Sequence, residues 1–178
     1  MTVIETERLQ LRPMDAADAD DLLLIFSDPE AMRYYPSTKS RAEAEGWIRW
    51  NQGSYDKHGF GLWVATLRET GGFAGQCGLV RQEVEGRPEV EIGYLFLRRL
   101  WGQGLATEAA RACRDYGLDV LGQRRLVSLI DPGNAASRRV AEKVGMTLEK
   151  EIVKWDKPIC VYALETGDGD NQCATGRP

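Results

Sequence analysis

The sequence predicts one domain of mixed α/β structure, with a single, mostly antiparallel sheet and helices on both of its faces. A length of 178 residues matches one domain. Segments with the alternation of strands and segments with the helical period follow one another along this length. Neither a linker nor an internal repeat divides the chain, so we expect one core and one cleft.

Charge and composition exclude several classes of partner. With 23 basic and 27 acidic side chains the formal net charge is −4, so no overall positive field attracts nucleic acid. The chain lacks the run of about 18–20 apolar residues that a membrane span needs, and its first residues lack the apolar stretch of a signal peptide. The four cysteines are widely spaced without a C-x-x-C pair, which is typical of reduced thiols. We expect a cytoplasmic protein without nucleic-acid or membrane partners.

The single histidine limits the available chemistry. A Ser-His-Asp triad needs one positioned histidine, and common hydrolytic zinc sites need two or three. His58 lies in the segment YDKHGFG without a neighbouring nucleophile, which favours a solvated turn residue over a catalytic base. We therefore expect neither covalent catalysis nor a bound metal.

The first third of the chain predicts a strand and two helices. Residues 8–12 have a strand pattern that ends at Pro13. Asp15 can cap the helix that follows, whose first turn is acidic. Ser40 and Glu43 form a capping box that begins the second helix. The segment AMRYYPS between the helices predicts a loop or a short helical turn.

Three strands then predict an antiparallel meander, over residues 60–68, 73–80 and 89–97, with turns at ETGG and around EGRP. The third strand alternates most clearly. One of its faces is apolar and carries Val90, Ile92, Tyr94 and Phe96. The other face carries Glu89, Glu91, Gly93, Leu95 and Leu97. The two carboxylates of this strand therefore share one face.

The second half of the chain predicts two helices and three strands. The first helix ends at Gly122, and a buried strand, RRLVSLI, leads from there to the turn DPGN. A short helix is stopped by Gly145, and the last two strands make a hairpin. We expect the domain to span residues 1–166 and a disordered tail to span 167–178, in which Cys173 has no assigned role.

A glycine-containing turn joins the third strand of the meander directly to a helix. Gly102 and Gly104 let backbone amides approach a bulky anion without obstruction by Cβ atoms. The first turn of the helix adds unpaired N–H groups and the positive end of the helix dipole. The Walker loop is absent, and the dinucleotide fingerprint fails because Thr107 takes the place of its last small residue. The turn predicts a diphosphate site.

Two motifs in the chain occur together in one known family. The turn contains R-x-x-G-x-G, filled by Arg99, Gly102 and Gly104. Downstream, the segment that starts at Asn134 follows the pattern N-x-x-S…E-K-x-G, with Met146 after the glycine. Both resemble motifs of the GNAT superfamily of acetyl-CoA-dependent N-acetyltransferases, particularly its ribosomal-protein-alanine acetyltransferase branch, which usually has Phe at the last position. The resemblance covers nearly the whole chain before the tail.

The resemblance implies an acyl-CoA N-acyltransferase (GNAT) fold that uses acetyl-CoA and releases coenzyme A. In this fold the sheet splays between the strands at 89–97 and 126–130, and pantetheine pairs with the exposed edge like an added strand. A backbone amide of this edge would donate to the thioester carbonyl. The residues implied in coenzyme binding are Leu95, Phe96, Leu97, Arg98, Arg99, Trp101, Gly102, Gln103, Gly104, Leu105, Ala106, Thr107, Asn134, Ser137 and Arg138.

Catalysis requires a base, because an amine must be neutral to attack a thioester and free α-amines titrate near ~7.7–8.0. In GNAT enzymes the matching strand often supplies a glutamate for this step, which makes Glu91 the candidate base and Glu89 the second candidate. Either carboxylate could instead only attract a cationic amine. Ser137 is the candidate acid for the departing thiolate, with a helix-capping role as the alternative, and Asn134 could bond the pantetheine amides.

The predicted activity is acetyl transfer to a primary amine by direct attack. The branch resemblance favours a protein N-terminal α-amine, and a cationic acceptor suits the acidic side chains of Glu83, Glu85, Glu89 and Glu91. The helical segment with Trp47, Trp50 and Tyr55 could equally shape a pocket for a polyamine, an amino acid or an aminoglycoside-like amine. A non-catalytic acyl-CoA sensor is the alternative from another class. The oligomeric state is left open between monomer and homodimer.

Overall fold

One sheet organises the chain in the computed structural model, which describes residues 2–166. Its eight strands are β1 (Ile4–Glu5), β2 (Leu9–Arg12), β3 (Leu62–Leu67), β4 (Phe73–Val84), β5 (Arg87–Phe96), β6 (Arg125–Ile130), β7 (Thr147–Lys154) and β8 (Lys157–Glu165). Their order across the sheet is β1-β2-β3-β4-β5-β6-β8-β7. Every neighbouring pair is antiparallel except β5 and β6, which are parallel. The predicted fold class is confirmed.

Helices cover both faces of this sheet. Within the described range the α-helices are α1 (Ala19–Phe26), α2 (Arg41–His58), α3 (Leu105–Asp115) and α4 (Ala135–Val144). Short 3-10 turns lie at Ala16–Asp18 and Arg98–Leu100, and a π-helical turn at Tyr116–Val120 continues α3. α1 and α2 share one apolar core, in which Ile48 is buried, while α3 and α4 share another, in which Ala141 is buried. The sheet therefore separates two cores.

Helix ends lie where capping residues predicted them. The Glu43 carboxylate accepts a hydrogen bond from the Ser40 N–H at 2.7 Å, and the Ser40 hydroxyl accepts one from the Glu43 N–H at 3.3 Å. Asp15 forms a capping box on the 3-10 turn that leads into α1. Gly145 ends α4 with a left-handed φ of 97°. These ends are predictable because each depends on contacts within one turn of chain.

Two strands differ from the prediction. The short strand β1 was not predicted, because two residues carry no periodicity. β4 runs beyond the predicted residues 73–80 to Val84, since Glu85 and Gly86 both adopt positive φ and make a tight turn to β5. The β4–β5 hairpin is therefore longer than the sequence pattern indicated.

Three further expectations concern His58, the C-terminal tail and a membrane span. The prediction that His58 lies in a solvated turn was wrong, because α2 continues through this residue and its half-buried ring lies 6.0 Å from Phe60. The tail at 167–178, with Cys173, lies outside the described residues, and the domain boundary stays a prediction. No helix within residues 2–166 has both the length and the apolar character to cross a membrane.

Replacing Ser40 with Ala removes the cap of α2 and leaves the N–H of Glu43 without its side-chain partner. We expect the free energy of unfolding to fall by about 1 kcal/mol, measured by urea titration with an unchanged m-value. Ser37→Ala, in the exposed loop just before, is the matched control and should change the free energy by less than about 0.5 kcal/mol. Equal effects of the two changes would contradict the capping role.

Candidate active site

The sheet splits between β5 and β6. One bridged pair, Glu91 with Val127, joins them, although β5 has 10 residues and β6 has 6. Beyond this pair, side chains replace the ladder bonds. The Glu91 carboxylate accepts from the Leu129 N–H at 3.3 Å, and the Ser128 hydroxyl donates to the Ile92 carbonyl at 3.0 Å. The two strands therefore diverge into an open gap.

The edge of β5 that faces this gap is main chain. Backbone groups of alternate strand residues point to opposite neighbours, and the Leu97 N–H donates to Ala74 on the β4 side at 2.9 Å. The N–H groups of Tyr94 and Phe96 therefore point into the gap. The Phe96 carbonyl is already taken by the Trp101 indole N–H at 2.8 Å. An extended ligand could pair with the two N–H groups as a strand would.

The turn from β5 to α3 presents unpaired amides. Gly102 and Gly104 have φ of 75° and 81°, a left-handed conformation that strains other residues. α3 begins at Gly104 without a side-chain cap, whereas Ser40 caps α2 and Asn134 caps α4. The first N–H groups of α3, among them that of Leu105, are therefore open to an anion.

A contact from the N-terminal strand region braces this turn. The Arg8 guanidinium pairs with Glu108 in the first turn of α3 at 2.6 Å and donates to the Gln103 carbonyl at 2.9 Å. Thr6 donates to the same carboxylate at 2.6 Å. Sequence reasoning missed Arg8 and Thr6, because about a hundred residues separate them from the turn.

The predicted phosphate-binding arginines differ in what they already contact. Arg98 pairs with Asp28 at 2.9 Å. Arg138 donates to the Tyr162 hydroxyl at 3.0 Å and weakly to the Pro132 carbonyl at 3.4 Å. Arg99 is exposed, and its guanidinium makes no ion pair within residues 2–166. Of the three, Arg99 is the one that could bind a phosphate without first breaking an existing contact.

Glu91 lies at the point where the sheet opens. Its carboxylate also accepts from the Gln82 amide at 2.9 Å. Burial raises the pKa of Glu91 to about 7, although the bonds from Leu129 and Gln82 and the positive charge of Lys154 lower it. Burial and, to a smaller extent, the Glu91 charge raise the pKa of the Tyr35 phenol, although the residue as a whole is 44% exposed. A carboxylate with this pKa can exchange protons near neutral pH.

Glu89, the second candidate base, has a different environment. Its carboxylate lies 3.0 Å from Nε of Arg125, whose guanidinium also pairs with Glu149 at 2.7 Å and Glu165 at 2.6 Å. These ion pairs join β5, β6, β7 and β8 beside a cavity of about 640 Å³ at the end of the sheet where β5 begins. Glu89 therefore has a structural partner, and Glu91 is the carboxylate at the gap.

The first turn of α4 lies on the far side of the gap from β5. The Asn134 side chain accepts from the Ser137 N–H at 3.1 Å and so caps the helix. Ser137 is therefore not the capping residue, and its hydroxyl makes no hydrogen bond within the described residues. The Tyr94 hydroxyl donates to the Ser137 carbonyl at 3.1 Å, and burial raises the pKa of this phenol. Sequence reasoning missed Tyr94 as a second hydroxyl beside Ser137.

The loop between α1 and α2 spans the gap on the face of the sheet opposite α3 and α4. The ion pair with Arg98 holds its start to the end of β5. Further along, the Tyr34 hydroxyl donates to the Gly133 carbonyl at 2.9 Å, and the Tyr34 carbonyl accepts from Lys157 at 2.6 Å. This loop therefore connects the end of β5 to the turn before α4.

Trp47 and Tyr55 pack α2 against the sheet, whereas Trp50 is 48% exposed. Trp47 donates to buried Gln76 at 2.9 Å and stacks on Trp50, with 5.2 Å between ring centroids. The Tyr55 hydroxyl donates to the Leu62 carbonyl, and burial raises the pKa of Tyr55 to about 12. These contacts hold α2 on the sheet beside the gap.

The comparisons with known proteins agree with this geometry. The acetyltransferase (GNAT) domain family matches residues 8–147. The chain belongs to the GNAT acetyltransferase family. It is 48% identical over 162 residues to the uncharacterized protein YkkB of Bacillus subtilis (strain 168), covering 90% of this chain and 94% of that protein. The crystal structure of an acetyltransferase from Agrobacterium tumefaciens str. C58 is similar with a TM-score of 0.81 and 30% identity, over 93% of this chain and 95% of that one.

Other relatives differ in the acceptor that their names give. RimL, a ribosomal L7/L12 α-N-protein acetyltransferase solved with coenzyme A, shares the fold with a TM-score of 0.75 at 18% identity, over 93% of this chain and 98% of that one. Spermidine N(1)-acetyltransferase of Escherichia coli (strain K12) is 28% identical over 151 residues, 82% of this chain and 76% of that enzyme. This GNAT protein is an N-acetyltransferase, as the motifs predicted, and family membership leaves its acceptor open.

Replacing Gly104 with Val should weaken coenzyme A binding at least about tenfold in isothermal titration, because the left-handed turn that presents the α3 amides can no longer form without strain. Gly71→Val is the matched control. Gly71 has a similar φ of 70° but lies in the β3–β4 turn, so this variant should lose stability and keep its affinity for coenzyme A. Unchanged affinity in a folded Gly104→Val protein would contradict the assignment of the turn.

Proposed function

We propose that this GNAT protein transfers the acetyl group of acetyl-CoA to a primary amine by direct attack, and that the acceptor is a protein N-terminal α-amine. The observation that carries the proposal is the gap between β5 and β6, with Glu91 at its closed end and the uncapped start of α3 at the other. The amine nitrogen bonds to the thioester carbon, the carbon–sulfur bond breaks, and the proton lost by the amine goes to a base.

The main chain and the turn would hold the coenzyme. The amides of Gly104, Leu105 and their neighbours would bind the pyrophosphate, with Arg99 as the available cation. Pantetheine would pair with the β5 edge, and the N–H of Tyr94 or Phe96 would donate to the thioester oxygen as charge develops there. The other coenzyme-binding residues that the sequence analysis proposed would line the same site.

Two groups would move protons. Glu91 would accept the amine proton, directly or through water, and its pKa of about 7 suits a base that works near neutral pH. Ser137 would donate to the departing thiolate, since its hydroxyl is not used as a helix cap. Tyr94 is a second donor in this position, because its hydroxyl lies 3.1 Å from the Ser137 carbonyl and burial keeps it protonated.

The acceptor is proposed on the resemblance of the chain to the ribosomal-protein-alanine branch. A small-molecule amine is the second candidate, and the spermidine N(1)-acetyltransferase among the relatives supports it. We place the reaction in the cytoplasm. In support, Cys77, Cys113 and Cys160 are free thiols, and the sulfur atoms of Cys77 and Cys113 form a hydrogen bond at 3.5 Å, not a disulfide.

The experiment that tests the function is thiol release from acetyl-CoA with a panel of N-terminal peptides and small amines. We expect turnover with at least one α-amine. Tight acetyl-CoA binding with no turnover on any acceptor would instead indicate a non-catalytic acyl-CoA sensor, and absence of coenzyme binding would overturn the assignment of the site.

Glu91→Gln should lower kcat by about a hundredfold or more and leave the affinity for coenzyme A unchanged, because the amide still accepts from Leu129 but cannot take a proton. The wild-type rate should rise with pH around an apparent pKa of about 7, and this limb should disappear in the variant. Glu69→Gln, in the exposed β3–β4 turn, is the control. A pH–rate profile identical to that of the wild type would remove Glu91 as the base.

A further inference from the structure

Several acidic side chains of β5 and of the nearby turns and loops hold a basic partner. Sequence reasoning expected Glu83, Glu85, Glu89 and Glu91 to attract a cationic acceptor, but Glu85 and Glu89 are paired with basic residues in the folded protein. The ion pairs are Glu85 with Lys150 at 2.6 Å, Glu89 with Arg125 at 3.0 Å, Asp28 with Arg98 at 2.9 Å and Asp131 with Lys157 at 3.2 Å. These four carboxylates therefore offer little uncompensated negative charge to a polycation.

The Glu83 side chain does not add a negative charge on the face of β5 that carries Glu91. Gln82 points to the face of the β4–β5 hairpin where Glu91 lies, since its amide donates to that carboxylate. Strand alternation places the neighbouring Glu83 side chain on the opposite face. The backbone carbonyl of Glu83 binds Lys154.

Lys154 is the basic side chain whose positive charge lowers the pKa of Glu91. It is the last residue of β7, and its ammonium donates to the Glu83 carbonyl at 2.7 Å, one residue along the chain from Gln82. The ammonium also lies 4.8 Å from the centre of the Trp155 ring. These two contacts fix a half-buried positive charge one residue along β4 from Gln82, whose amide binds the Glu91 carboxylate. They still leave a donor on the ammonium.

We propose that Lys154 is a specificity-determining residue, which rejects acceptors that carry a second ammonium group and selects an amine flanked by a carbonyl or carboxylate oxygen. A second positive charge on the acceptor would lie near the Lys154 ammonium and be repelled. An oxygen next to the reactive amine would instead accept its remaining N–H. The shared chemistry of the favoured acceptors is an α-amino group with an adjacent carbonyl carbon.

This inference rests on the proposed function and narrows its acceptor. Peptide N-termini and free amino acids both carry this chemistry, while diamines and polyamines do not. The Glu91 carboxylate accepts from Gln82 of β4 and from Leu129 of β6. Its charge adds to the raised pKa values of Tyr94 on β5 and Tyr35 in the α1–α2 loop, and the charge of Lys154 on β7 lowers the pKa of Glu91. Lys154 is the positively charged one among them, so a change there isolates the effect of charge.

The experiment compares wild type with Lys154→Gln on four acceptors: an alanyl-peptide amide, free alanine, propylamine and 1,4-diaminobutane. Wild type should use the two alanine compounds best and the diamine worst. In Lys154→Gln, kcat/KM for the diamine relative to propylamine should rise about tenfold, and the advantage of the alanine compounds should shrink. A larger loss for free alanine would indicate a carboxylate contact, and a larger loss for the peptide would indicate a carbonyl contact.

Two further readouts separate this role from a structural one. The acidic pKa of the kcat/KM profile should move upward in Lys154→Gln, because a positive charge that lowers the pKa of Glu91 is removed. Lys150→Gln is the matched control, since Lys150 lies on the same strand but pairs with Glu85 on the surface. That variant should keep the acceptor ratios and the pH profile of the wild type.

The outcomes distinguish the two proposals. If wild type releases thiol but prefers the diamine, Lys154 does not have the proposed role. The same holds if the acceptor ratios are unchanged in Lys154→Gln. Either result would leave the N-acetyltransferase mechanism standing. No thiol release with any acceptor would overturn the proposed function and this inference with it.

Discussion

The hydrogen bond from the Leu129 N–H to the Glu91 carboxylate is the interaction on which the site depends. A strand N–H that would otherwise pair with a neighbouring carbonyl binds a side chain instead, so β5 and β6 separate after a single bridged pair. At this position burial outweighs the hydrogen bond, which by itself lowers the pKa, and raises the pKa of Glu91 to about 7. The opening of the sheet and the proposed base therefore lie at the same residue.

Opposite charges in this protein are paired across elements that are distant in sequence. Arg125 joins carboxylates of β5, β7 and β8, Arg8 ties the N-terminal region to α3, and Arg98 ties β5 to the α1–α2 loop. These pairs fix the strands and loops around the gap. The two ends of the gap differ in character, since unpaired amides and Arg99 lie at the start of α3, while the Glu91 carboxylate lies where β5 and β6 are still joined.

The sequence was sufficient for features that depend on neighbouring residues. The capping boxes, the glycine turn at Gly102 and Gly104 and the alternation of β5 each involve contacts within a few positions, and the GNAT motifs fixed the strand that carries Glu91. The features that it missed join distant segments. Nothing in the local pattern of Arg8, Tyr94 or Lys154 shows that their partners are Glu108, Ser137 and Glu83. The neutralisation of the acidic residues was missed for the same reason.

The most direct test of the account is a crystal structure of the protein with coenzyme A. It should show pantetheine in the gap between β5 and β6, with its amides within hydrogen-bond distance of the Tyr94 and Phe96 backbone, and the pyrophosphate on the amides at the start of α3. Coenzyme bound elsewhere, or a continuous ladder that closes β5 onto β6 past Glu91, would contradict it.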